Sequence, residues 1–390
     1  MRKYSCYVLF FIVLSFIVIS CKNSNKTSSP SEPESTATPA FTATITLTPT
    51  PSWKFVAGVF GGSQGLDLTT SDGTHYLVVT DGDLYDYPIV YKMIGNTFVQ
   101  QGDVNSLIYT GGVSDISLAV DGINIYLSYY EHSLYGTTVM KFDGNTWTVL
   151  GNRAFADTYT GSSSMDVYQG VPYLAYRDEA NNYKLKVVKF NGSNWEDIGS
   201  ASIPDKKVNS ISIKVSNDKI YVCYMEDNPM GLSVTGKVIK YGSTIWQELG
   251  SGSFCSGPID HLTLFVDGDT PYVAYKDGLD NCSGYNCNGI TVKKLYGSSW
   301  ATVGTTEFSL GTVDGVSLYV YNGMPYVAFT EAKLERNVTA MKFDGTSWVY
   351  IGKQAFMNNY SKYPKIFVYD GIPYVAATYT GAAGLMKFSN

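Results

Sequence analysis

AMKFDGTSWVYIG, residues 340–352, joins an apolar run to an Asp-Gly turn and then to a tryptophan four positions before a glycine. The pattern returns as VMKFDGNTWTVLG at 139–151, VVKFNGSNWEDIG at 187–199 and VIKYGSTIWQELG at 238–250. Two stretches carry only half of it. LMKFSN at 385–390 has the apolar run without the tryptophan, and SWKFVAG at 52–58 has the tryptophan without the run. The halves fit each other, so the chain is expected to bring residues 52–58 back beside residues 385–390 and close a ring.

Three ladders of residues support that expectation. An aromatic residue before a glycine recurs at Trp53, Phe98, Trp147, Trp195, Trp246, Trp300 and Trp348, and a tyrosine opens an apolar run at Tyr76, Tyr126, Tyr173, Tyr221, Tyr272, Tyr326 and Tyr374. The MKFDG-like element is the third ladder, also in seven copies. Each period of 45–54 residues divides into four short runs rich in Val, Tyr, Phe and Thr, bounded by Gly, Asn and Asp, with no helical pattern between them. Such units cannot bury their apolar faces alone and must stack on one another. The predicted fold is all-β: a seven-bladed β-propeller of four-stranded blades over residues 52–390, with the N-terminal strand completing the last blade.

Composition suits a globular, turn-rich body: of 390 residues 44% are apolar and 14% aromatic, with 38 Gly and 32 Tyr. The net charge of −6 comes without a basic stripe, which excludes the usual electrostatic footprint of a nucleic-acid binder. Ahead of the propeller lie two segments of different character. Residues 1–20 pair Arg2 and Lys3 with the apolar run YVLFFIVLSFIVIS and read as a signal peptide. Residues 22–51, rich in Ser, Thr and Pro, read as a disordered tether.

The end of the apolar segment, VIS before Cys21, resembles the lipobox of bacterial lipoproteins. That resemblance implies lipidation at Cys21, a domain 21–51 made of the acylated cysteine and its tether, and anchorage in the bacterial cell envelope at the outer membrane or cell surface. Loss of residues 1–20 would leave 26 basic against 34 acidic residues, a net −8.

In an up-and-down blade the first and third turns share one face of the disc, while the second turn and the link to the next blade share the other. Turns such as VDG, YNG and FDG make the first face tight. The long segments collect on the second, where variable loops on a rigid scaffold usually carry function. Tyr85, Tyr87, Tyr135, Tyr159, Tyr183, Tyr285 and Tyr360 fall there and are the candidate ligand-binding residues, since tyrosine gives amphipathic contact area at little entropy cost. Six of seven blades also place an acid five positions after the landmark tyrosine, at Asp81, Glu131, Asp178, Glu226, Asp277 and Glu331. These form either an acidic ring drawing in a polar ligand or a set of strand-end acceptors for their own loops.

No metal or cofactor is expected: His75, His132 and His261 share no ligand spacing, DGDLYD at 81–86 lacks the glycine and glutamate of an EF-hand, and no glycine cluster has the context of a phosphate loop. Cys282 and Cys287 are the favoured disulfide, with Cys255 a competing partner. Cys223 reads as a core residue, with a Cys223–Cys255 bridge also open.

In repeat architecture the body resembles kelch-like and sialidase-like propellers. FDGTSW at 343–348 and FDGNTW at 142–147 resemble the sialidase Asp-box, although glycine follows the aspartate directly. What that resemblance implies is a glycan-active hydrolase with three arginines around a substrate carboxylate. The segment after residue 20 holds three, Arg153, Arg177 and Arg336. The residues themselves favour a monomeric binding module for a protein or glycan partner, with a sialidase-like hydrolase or a structural subunit of an envelope assembly as alternatives.

Overall fold

The computed structural model describes residues 50–60, 65–81, 87–104, 111–156, 163–226, 235–242, 244–255, 257, 259–278, 289–357 and 361–389. These form seven four-stranded antiparallel sheets, each one blade. The first blade runs β2 (Leu66–Ser71), β3 (Thr74–Asp81), β4 (Tyr87–Ile94) and β5 (Thr97–Gln100), from the axis outward, and the second runs β6 (Val113–Asp121), β7 (Asn124–Glu131), β8 (Gly136–Phe142) and β9 (Trp147–Val149). The third has β10 (Ser163–Tyr168), β11 (Val171–Asp178), β12 (Lys184–Phe190) and β13 (Trp195–Asp197), and the fourth β14 (Val208–Ser216), β15 (Lys219–Glu226), β16 (Thr235–Tyr241) and β17 (Trp246–Glu248). The fifth comprises β18 (Ile259–Asp267), β19 (Thr270–Asp277), β20 (Ile290–Tyr296) and β21 (Ser299–Thr302), and the sixth β22 (Val313–Tyr321), β23 (Met324–Glu331), β24 (Asn337–Phe343) and β25 (Trp348–Tyr350).

The seventh blade joins the two half-patterns. β26 (Lys362–Tyr369), β27 (Ile372–Tyr379) and β28 (Ala382–Ser389) supply three strands, and β1 (Ser52–Phe60) pairs with β28 in the register Trp53 to Phe388. The ring is therefore closed by its first strand, as the sequence pattern requires.

The aromatic ladder holds neighbouring blades together. Trp147 Nε1 donates to Gln101 O at 2.7 Å, Trp195 to Leu150 O at 2.8 Å, Trp246 to Ile198 O at 2.7 Å, Trp300 to Leu249 O at 3.0 Å and Trp348 to Val303 O at 2.9 Å. Trp53 repeats the bond to Ile351 O at 2.6 Å across the closure. The glycine that follows each acceptor makes room for the indole: a Cβ on Gly250 would lie 2.5 Å from Trp300 Cδ1, at a φ of +80° that disfavours any side chain. A phenylalanine in the link to the next blade adds a second contact, with Phe155 stacked on Trp195, Phe308 on Trp348 and Phe356 on Trp53 at centroid distances of 4.6, 4.1 and 4.1 Å.

Toward the axis the problem is different, because each innermost strand presents an unpaired edge. Side chains of the preceding blade cap it. Asp67 Oδ2 accepts from Leu118 N at 2.8 Å, Ser164 Oγ from Ile213 N at 3.2 Å, Ser212 Oγ from Leu264 N at 3.4 Å and Ser317 Oγ from Ile366 N at 3.1 Å. These hydroxyls line an axial channel of about 290 Å³.

Cys223 is buried and Cys255 half-buried, and no disulfide joins the two, so the Cys223–Cys255 bridge does not form. Cys255 Sγ instead accepts from Gly236 N at 3.1 Å. Cys282 and Cys287 lie outside the described residues, as do Cys21 and residues 1–49.

Candidate functional site at the axial mouth

Of the seven candidate tyrosines, Tyr85, Tyr159, Tyr285 and Tyr360 lie outside the described residues. Tyr87 opens β4 and is half-buried against the core shared by the first two blades. Tyr135, in the turn after β7, is 72% exposed. Tyr183 is exposed in the turn after β11, with the Arg177 guanidinium 5.4 Å and Lys207 Nζ 5.0 Å from its ring centroid. All three stand at the connection between the second and third strands, in the first, second and third blades.

Four of the six strand-end acids are engaged within the fold. Fully buried Glu131 takes Arg153 as its ion-pair partner and accepts from Thr138 Oγ1 at 3.2 Å. Glu331 accepts from Leu310 N at 2.9 Å and Thr339 Oγ1 at 3.2 Å, and burial raises its pKa above the usual carboxylate value. Asp277 accepts from Thr291 Oγ1 at 3.0 Å, and Asp178 from Asn181 N at 3.3 Å. In three blades the threonine passes the connection on: Thr138, Thr291 and Thr339 accept from Ala154 N, Glu307 N and Ala355 N in the link to the next blade. Glu226 is half-buried with its pKa raised by burial, and the side chain of Asp81 is outside the described residues.

Each arginine has a different partner. Arg153 is held by Glu131, Arg177 by Asn209 and by Glu179 at 2.9 Å, and Arg336 by Asp314 at 3.1 Å.

A feature absent from the sequence reading lies where the axial channel meets the long-loop face. Five innermost strands carry a β-bulge near their start, in β6, β14, β18, β22 and β26. The bulged residue is left-handed each time: Asp115 (φ 50°), Ser210 (φ 46°), His261 (φ 50°), Gly315 (φ 70°) and Tyr363 (φ 52°). A bulge re-aims side chains and tightens the twist. Here the extra residues widen the channel into a cavity of about 460 Å³, lined by Asp115, Ile116, His261, Leu262, Tyr363 and Lys365 among others. Lys365 also lines the channel below and pairs with Asp67 at 3.0 Å. His261 Nε2 lies 3.6 Å from Asp260 Oδ2, yet burial outweighs that carboxylate and lowers the imidazole pKa. The signal in the sequence is slight: SDIS, NSIS, DHLT and YPK each add one residue before the inner-strand position that faces the axis.

No group of three or more His, Cys, Asp or Glu side chains converges among the described residues. No family model matches the chain, and no curated protein does. Solved structures match it at low identity. The β-propeller domain of the trilobed protease from Pyrococcus furiosus is 12% identical with a TM-score of 0.52, over 85% of this chain and 94% of that one. That domain is described as having an open velcro topology, whereas here β1 closes the ring on β28. YjhT is 11% identical with a TM-score of 0.48, over 70% of this chain and 93% of that one. Trypanosoma rangeli sialidase bound to the inhibitor DANA is 10% identical with a TM-score of 0.47, over 85% of this chain but 55% of the sialidase. The likeness is one of fold.

Proposed function

We propose that this protein is an exported, lipid-anchored binding module that holds a protein or glycan partner on its long-loop face, centred on the axial mouth. The observation that carries the reading is the strain at the bulges. Gly315 shows that glycine serves the left-handed position, yet Asp115, Ser210, His261 and Tyr363 occupy it in the other four. A side chain held there costs about 1–2 kcal/mol, and such strain gathers where function maintains it. The propeller's first strand begins at the tight-face end of the seventh blade, where Ser52 pairs with Ser389.

Glycine substitution tests the site. Asp115→Gly, His261→Gly and Tyr363→Gly should each leave the unfolding midpoint unchanged or raise it, while weakening partner binding at least tenfold in a titration. Loss of stability with intact binding would mean that these side chains serve the fold. Anchorage is tested by Cys21→Ser, which should abolish acylation and detergent-phase partitioning of the processed protein; a variant still labelled by radioactive palmitate rejects the lipid anchor.

A further inference from the structure

Two hydroxyls at the axial mouth have no hydrogen-bond partner among the described residues. Thr80, at the end of β3, is 1% exposed, and Ser114, at the start of β6, is half-buried; both line the 460 Å³ cavity. Neither side-chain oxygen has a hydrogen-bond partner, although the hydroxyls just below, on Ser164, Ser212 and Ser317, all cap a neighbouring strand. A buried hydroxyl without a partner is disfavoured, and a ligand seated in the cavity can supply one. We propose that the axial mouth is a subsite for one uncharged saccharide unit, a step that rests on the binding-module reading above and names its ligand.

The charge and shape of the mouth narrow the class. The lysine that reaches it is neutralised by Asp67 at 3.0 Å, so among the described lining residues no lysine or arginine is left over for a carboxylate or phosphate. Its walls alternate small polar groups with apolar surface from Ile116 and Leu262, and the ring of Tyr363 is 40% exposed at the rim. That mixture matches a sugar ring, whose hydroxyls need donors and acceptors while its C–H face packs on an aromatic surface. An extended peptide fits less well, because adding a strand needs an open sheet edge. Side chains already cap the inner edges at Leu118, Ile213, Leu264 and Ile366. The volume is within the range of about 300–1,000 Å³ usual for small-ligand sites.

Calorimetric titration of the full chain decides the matter, with maltose, cellobiose, lactose and diacetylchitobiose as neutral probes and galacturonic acid and sialyllactose as acidic ones. At least one neutral disaccharide should bind, with Thr80→Val and Ser114→Ala each weakening it about tenfold, the equivalent of one lost hydrogen bond. Thr80→Val keeps the shape of the side chain, and circular dichroism at the unfolding midpoint verifies that both variants are folded. Binding of acidic sugars alone, of no neutral probe, or of a neutral probe indifferent to both variants overturns the subsite. If in those cases a macromolecular partner still depends on Tyr135 or Tyr183, the saccharide assignment falls and the binding module stands.

Discussion

At the scale of single residues, the blade seam depends on an indole and the glycine that accommodates it. Trp300→Phe keeps the ring but loses the bond to Leu249 O, and is expected to cost about 1 kcal/mol in urea unfolding. The chain tolerates such a change by nature in its first blade, where Phe98 holds the equivalent position. Gly250→Ala should be worse, about 3 kcal/mol, because strain at φ +80° adds to a Cβ driven against Trp300. Equal costs for the two would show that the hydrogen bond, and not the fit, governs the seam. Both residues were legible in the sequence because they recur at fixed spacing. The stacked partners Phe155, Phe308 and Phe356 recur as well, each four residues after its seam glycine, but that regularity is a single residue in links that otherwise vary.

Among the elements, β1 is unlike the outer strands of the other blades. It spans nine residues, whereas β9, β13, β17 and β25 span three, and its full length pairs with β28. Short outer strands leave little edge for another chain to pair with, which suits six blades that need no closure. Deleting residues 52–58 should therefore expose the edge of β28, unstack Phe356 from Trp53 and lower the thermal midpoint by several degrees. Deleting residues 22–50, which their Ser/Thr/Pro-rich sequence predicts to be a tether, should leave the midpoint within about a degree. Similar losses from both deletions would refute closure by β1. The half-patterns made this pairing readable, because a missing strand at one place and a surplus one at another leave a single way to complete seven sheets. The bulges were hidden by the same regularity. One extra residue shifts the phase of a short strand without changing its composition, and only the pairing of Ser114 with Tyr130 and Ser117 with Ser128 reveals it. The tyrosines of the long loops show their chemistry in the alphabet, whereas the bulge residues owe their place to backbone direction.

At the scale of the whole ring, the seam between the first and last blades holds a buried imidazole. His75, on β3 of the first blade, is 3% exposed and packs 4.7 Å from both Phe367 and Tyr374 of the seventh, with its Nδ1 unpartnered. Burial pushes its pKa down from 6.5 to about 4, so the folded ring holds the imidazole neutral while the unfolded chain protonates it at the ordinary value. The unfolded state then binds more protons between pH 6.5 and 4, and stability must fall as the pH drops through that window, by roughly 2–3 kcal/mol at most, while staying flat above it. The carboxyls of Asp143 and Asp344, held below their usual range by backbone N–H bonds in the tight turns, lose their contribution only at lower pH, which keeps the two effects apart. His75→Phe fills the same aromatic niche without a titrating group. Urea midpoints measured from pH 7.5 to 4.5 should slope downward for the natural chain and less steeply for this variant, the remaining slope coming from His261, whose imidazole pKa burial also lowers. Parallel curves would place the acid sensitivity elsewhere in the ring, at His261 for example; a shallower curve for the variant locates the difference where the first blade meets the last, at the joint on which closure depends.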